Sequence, residues 1–369
     1  LVFYTTLFLL LGHLMVAAVM PLFVPDELYL YLYLGKDSRE STKRFLNGEH
    51  PFLVYDDILG WRNRPNVKHE KWTTDEHGAR TTHRVSTSSS KTYVMFLGNS
   101  LINGGTNVSN DETISAYIED ASTESVNFAT MLYALDQVYL IYKERLRGYK
   151  ADVVVVGLPG EPTAGLLNQY IPFRVKFENK MPFLKPRFEL RSGELSIVSV
   201  PSLKTYERLF DHPEALKMLA KTDAYYGEFN RYKWFGLMPG SSGLYSVYGK
   251  LRYYARLIWG DAEGMSLLKK LINRMVLEAR EHNTAIIFVA LPDLKTVAPG
   301  VWQRYFPDLY GKMVNDLKGE GYPLLDVRPA LRRSGLPPEK LFQADGVHYS
   351  SAGNRIIASA LKRVIDHLK

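Results

Sequence analysis

Hydrophobic positions change period repeatedly from Thr92 onward. Tyr93–Leu97 alternates or runs apolar as a strand, Thr113–Asp120 has helical spacing, and Val126–Ala129 is a short second strand. Asp136–Arg147 is again helical, and Asp152–Gly157 carries four consecutive valines, apolar on both faces as in a parallel strand covered on both sides. The alternation pauses between Leu158 and Gly264. It resumes with a helix over Ser266–Glu281, a strand over Ala285–Leu291, a helix over Trp302–Lys318, a strand over Pro323–Val327 and a helix over Ala352–His367. Strands alternating with helices predict an α/β fold with a parallel sheet between two helical layers, and its working site at the carboxyl ends of the strands. Ser100, Ala129, Gly157 and Asp293 all fall at such ends.

Outside this pattern the chain divides into three further parts. Leu1–Val24 is almost wholly apolar. As a helix it would span roughly 36 Å, enough to cross a bilayer, so a transmembrane signal anchor is expected over 1–24, with a core helix as the alternative. Leu28–Leu34 alternates leucine and tyrosine, which reads equally as a strand or as tyrosines at a membrane interface. Residues 25–90 read as an extracytoplasmic arm, polar and irregular from Gly35 to Val85 and closed by the linker Ser86–Ser90, and 91–369 as the α/β domain. The insertion, about 158–264, holds a hairpin with Ser192-Gly193 in its turn, then an aromatic half from Tyr225 to Trp259. That half reads as a satellite core, or as a glycan-stacking, partner or membrane-facing surface.

Composition narrows the chemistry. The 369 residues are 46% apolar and 23% charged, as in a folded globular protein. There is no cysteine, which excludes thiolate catalysis, zinc–thiolate centres and disulfides. The net charge of +7 is spread without a basic block, so no nucleic-acid partner is expected. No metal or cofactor is expected either: His69, His77 and His83 match no compact ligand spacing, and Gly104-Gly105 lacks the lysine of a phosphate loop.

Two pieces carry candidate chemistry. Val94–Ser100 delivers a serine at a strand tip, and Asp345-Gly346-Val347-His348 supplies a carboxylate and an imidazole three residues apart, just before the last helix, for which Ser351 is the expected N-cap. Serine becomes a useful nucleophile when a histidine, oriented by a carboxylate, takes its proton. Gly98-Asn99-Ser100 resembles the Gly-Asp-Ser block of the SGNH (GDSL-like) hydrolases, and Asp345–His348 their terminal D-x-x-H block. Gly60-Trp61-Arg62, Asn66, Gly78-Ala79-Arg80 and Asn127-Phe128-Ala129 followed by Asp136-Gln137 resemble the preamble of membrane-anchored bacterial members.

The resemblance covers about 91–160 and 265–369. It implies a flavodoxin-like three-layer α/β/α fold with Ser100 as nucleophile, His348 as base and Asp345 orienting it. It also implies oxyanion donors at the backbone N–H groups of Ser100 and Ala129. The usual asparagine of the third block is missing, and Glu161 stands nearest its position, so Asn103 or Asn168 is the candidate substitute. The expectation is an extracytoplasmic serine esterase or O-acyltransferase acting on cell-envelope carbohydrate esters, held at the membrane by its first helix. The alternative is a non-catalytic subunit of the same fold that binds a glycan or a membrane protein complex.

Overall fold

The computed structural model describes residues 40–80, 91–174, 183–211, 218–219, 221–227, 262–301 and 307–368, with six residues among the first fifteen. The rest of the 1–24 stretch, the Leu28–Leu34 alternation, the Ser86–Ser90 linker and most of the aromatic half of the insertion lie outside the described residues. Among the described residues no helix is long and apolar enough to cross a membrane.

Two short antiparallel strands, β1 (Leu53–Asp56) and β2 (Gly60–Asn63), precede the main sheet. That sheet has five parallel strands: β3 (Thr92–Leu97), β4 (Thr123–Asn127), β5 (Val153–Pro159), β8 (Ala285–Leu291) and β9 (Leu324–Asp326). They lie in the order β4-β3-β5-β8-β9, the doubly wound order in which the first strand of the sheet sits inside the second. The insertion contributes the hairpin of β6 (Arg187–Arg191) and β7 (Glu194–Val198), with Ser192 and Gly193 both at positive φ in its turn.

The valine-rich strands are buried on both faces because helices cover both. Met95, Leu97, Val154, Val156, Phe288 and Ala290 join one core, with the helices Leu135–Tyr149, Ala262–Glu281 and Leu309–Gly319. Their neighbours Val94, Phe96, Val153, Val155, Ile287 and Val289 join the other, with Ile114–Tyr117, Arg328–Arg332 and Ser351–Asp366. This period of two sends successive side chains to opposite layers. Each fully buried valine or leucine contributes about 1.5–3 kcal/mol relative to exposure.

The stretch read as an arm shares the first of these cores through Phe45, Leu53, Leu59, Trp61 and Ala79. Its polar groups are tied in as well. Trp61 Nε1 donates to Met131 O at 2.9 Å, Asn63 Nδ2 to Ala129 O at 3.1 Å, and Gln137 Nε2 to Leu59 O at 2.8 Å.

Helix ends differ in detail from the sequence reading. Ser350, not Ser351, caps the last helix, accepting from Gly353 N, while Ser351 Oγ pairs with Tyr117 OH at 2.6 Å. The helix predicted over 302–318 is capped by Asp308, whose side chain accepts from Gly311 N, and runs from Leu309 to Gly319. A Cβ on Gly353 would lie 2.2 Å from Leu341 O, a backbone atom that cannot rotate away. Gly353→Ala is therefore expected to destabilise by about 1–3 kcal/mol, read as a lower urea midpoint; an unchanged midpoint would show that the helix shifts freely.

Candidate active site

Ser100 stands where β3 gives way to a one-turn helix, Ser100–Asn103. Asn99 is its N-cap: the Asn99 Oδ1 accepts from Leu101 N at 3.0 Å. As the first residue of the helix, Ser100 has a backbone N–H with no intrahelical acceptor. Gly104 ends the turn at φ +90°, and its N–H returns to Ser100 O at 2.8 Å.

The other half of the site comes from the loop before the last helix. Asp345 Oδ1 accepts from the Val347 and His348 N–H groups at 2.8 and 2.9 Å, folding the four residues into a tight turn around Gly346 at φ +67°. That leaves Asp345 Oδ2 for the His348 Nδ1, 2.6 Å away, and His348 Nε2 lies 2.8 Å from Ser100 Oγ. Because a carboxylate only accepts, the proton of the neutral ring belongs on Nδ1, and Nε2 is the acceptor facing the serine. Burial pushes the Asp345 carboxyl up, but the bonds from the His348 ring and from the Val347 and His348 N–H groups outweigh it. The carboxyl is held below its ordinary range. The loop is pinned from behind by Leu294 N to Gly346 O at 2.9 Å and by buried Tyr349, whose hydroxyl donates to Pro292 O at 2.6 Å.

Ser100 opens into a cavity of about 660 Å³ at the carboxyl ends of the strands. Gly157 to Glu161, Leu291, Asp293, Tyr310 and Arg328 line it with Ser100 and Val347, so the strand-end segments of β5, β8 and β9 all contribute. Glu161, in the place of the usual asparagine, lines this cavity too, at the N-cap of the helix Pro162–Leu166.

Of the remaining oxyanion candidates, Ala129 and Asn168 are engaged elsewhere and Asn103 has one of its two amide N–H bonds in use. The Ala129 N–H donates to Asn127 Oδ1 at 3.1 Å and Ala129 is fully buried, so a side chain two residues upstream occupies that donor. Asn103 Nδ2 donates to Ala129 O at 2.7 Å. Asn168 is buried within the insertion, its Nδ2 shared between Tyr170 O and Asp223 Oδ2 at 2.8 and 2.9 Å. The sequence reading did not find Asn127 in this role, although an Asx residue reaching two residues on is a common backbone partner.

His69 and His77, set aside as metal ligands, serve packing: His69 meets the ring of Phe52 edge-on, and His77 that of Tyr149. Among the described residues no grouping of histidine and carboxylates suits a metal ion.

No protein-family model matches this chain, and no curated protein does. Solved structures similar to it include a protein described as lipolytic, of the G-D-S-L family, from Desulfitobacterium hafniense, with 13% identity over 74% of this chain and 99% of that one, at a TM-score of 0.38. A catalytic mutant of an acetylxylan esterase from Geobacillus stearothermophilus is 14% identical over 75% and 95%, at 0.36. A GDSL-like lipase from Bacteroides thetaiotaomicron is 13% identical over 77% and 93%, at 0.35. In its strand order, its serine at the tip of the first sheet strand and its D-x-x-H turn, this chain resembles the SGNH (GDSL-like) hydrolases.

Proposed function

We propose that this chain is a serine esterase or O-acyltransferase that works outside the cytoplasm on acylated carbohydrate of the cell envelope. The observation that carries the reading is the hydrogen-bonded run Ser100 Oγ–His348 Nε2, His348 Nδ1–Asp345 Oδ2 at the mouth of a cavity. In the first step Ser100 Oγ attacks the acyl carbonyl carbon and its proton passes to His348 Nε2. The Ser100 N–H is the backbone donor available to the oxyanion. Collapse breaks the ester C–O bond, Nε2 returns the proton to the leaving alcohol, and the acyl group stays on Ser100. Water or a sugar hydroxyl then gives its proton to Nε2 and attacks the acyl carbon; the bond to Ser100 Oγ breaks and Nε2 returns the proton to that oxygen. Hydrolase and transferase differ only in that second acceptor.

The apolar Leu1–Val24 supports anchoring at a membrane, and with it an envelope substrate. The engagement of Ala129 N–H and of the Asn168 amide favours one competing reading, a non-catalytic glycan-binding subunit, because each missing oxyanion donor costs on the order of 100- to 1000-fold in rate. Turnover of p-nitrophenyl acetate separates the two. The proposal expects hydrolysis above background that disappears in Ser100→Ala while thermal stability is kept; equal rates in both proteins would remove the esterase reading.

A further inference from the structure

Arg80 is 2% exposed, yet it carries no carboxylate partner at ion-pair distance among the described residues. Its guanidinium is instead spent on backbone. Nη1 donates to Asn103 O and Gly105 O at 2.6 and 2.7 Å, Nη2 to Val108 O and Lys71 O at 2.6 and 3.0 Å, and Nε to Asn110 Oδ1 at 2.8 Å. All five N–H bonds of the fork are used, on partners that are all neutral. A buried cation without a counter-charge is expensive, and here burial lowers the Arg80 pKa to about 10. Satisfying four carbonyls that an apolar side chain would leave unpaired is one reason for such a group.

The residues it grips give another. Asn103 and Gly105 flank Gly104, whose N–H closes the turn onto Ser100 O. Gly104 favours glycine for its φ of +90°, and a Cβ there would also crowd Arg80 Nη1, at 3.1 Å. One residue further on the loop comes near the ring of His348: a Cβ on Gly105 would be 3.9 Å from His348 Cδ2. The same loop reaches the histidine turn a second time. Asn107 Nδ2 donates to Gln343 Oε1 at 2.7 Å, Gln343 N donates to His348 O at 2.7 Å, and Gln343 Nε2 to Tyr349 O at 3.0 Å. The Arg80 N–H meanwhile fixes its own backbone to Asn127 O at the end of β4, at 2.8 Å.

We infer that Arg80 is a positioning residue: through the 103–110 loop it holds Ser100 and His348 in register, so that the segment before the sheet completes the active site. The inference rests on the reading of Ser100 and His348 as nucleophile and base. Lysine cannot replace it, having three donors and no fork where five converge. Small misplacements of reacting groups cost up to about 100-fold in rate, so the loss should fall on kcat.

The test uses Arg80→Lys and, because Arg80 is buried, Asn107→Ala at the exposed far end of the relay. Two readouts are taken: kcat and KM on p-nitrophenyl acetate, and the low-field proton NMR signal of His348 Nδ1–H, assigned by its absence in Asp345→Asn. The expected result is kcat lower by about tenfold or more for Arg80→Lys and several-fold for Asn107→Ala, KM within about twofold, and a broadened or lost low-field signal in both. Unchanged kcat and an unchanged signal in Asn107→Ala, with the same in Arg80→Lys where it folds, would overturn the inference. If wild type turns over no ester, the esterase reading fails; the low-field signal then still decides whether Arg80 holds His348 in place.

Discussion

Asp345→Asn is expected to lower kcat for ester hydrolysis by about 10³- to 10⁴-fold with little change in stability. The reason lies in which atom of residue 345 faces which partner. Oδ1 accepts from two backbone N–H groups, so an asparagine would keep its oxygen there and turn its NH₂ toward His348. An amide donor at that place makes Nδ1 the acceptor and moves the ring proton to Nε2. Nε2 would then donate to Ser100 Oγ instead of accepting from it, and the base is lost. A loss of less than about tenfold would show that Asp345 does not set the tautomer of His348.

The pH profile follows the same geometry. The Asp345 carboxyl is depressed in the folded protein, so its pairing with His348 is present above the ordinary carboxylate range. It disappears only as pH falls through that lower folded value. The acid limb of kcat in the wild type should accordingly reflect a group other than Asp345.

The largest effect on stability is expected at a buried ion pair beside the cavity. Lys185, which belongs to the insertion and lines the cavity, pairs with Asp136 at the start of the helix Leu135–Tyr149. Both side chains are fully buried. Burial pushes the Lys185 ammonium down and the Asp136 carboxyl up, and each partner opposes the shift of the other. Lys185 Nζ also donates to Pro186 O at 3.0 Å, and Asp136 Oδ1 accepts from Gln137 N at 2.8 Å. Lys185→Met would leave a buried carboxylate without its counter-charge, at a cost of about 3–5 kcal/mol in guanidinium unfolding. Adding Asp136→Leu should recover most of that loss, since a well-packed apolar pair often equals a buried ion pair. If the single variant loses less than about 1 kcal/mol, the pair is not what joins the insertion to the sheet layer.

Much of the fold was legible because its signals are local. Val153–Val156 reads as a strand covered on both faces, and the alternation of strands with helices predicts the parallel sheet that the two cores enclose. Ser100 and Asp345–His348 were legible for a different reason: each is a short segment whose geometry is set by its own turn, one capped by Asn99 and the other folded by Asp345 Oδ1. What was illegible depends on partners distant in sequence. The packing of Trp61 and Asn63 beneath Ala129 and Met131 leaves no period in residues 40–80, so that stretch read as an arm. The fate of the Ala129 N–H turns on the rotamer of Asn127, and that of Asn168 on Asp223, more than fifty residues away, whose carboxylate also collects the Gln169, Tyr170 and Tyr225 N–H groups. A motif marks where a donor is expected, but its availability is settled by the surrounding hydrogen bonds.

The central claim, that Ser100 is an activated nucleophile, is tested most directly by reaction with a fluorophosphonate and mapping of the modified peptide by mass spectrometry. The structure predicts stoichiometric modification at Ser100, abolished in Ser100→Ala and in His348→Ala. Folded wild-type protein that stays unmodified, or that is modified equally when His348 is replaced, would contradict it.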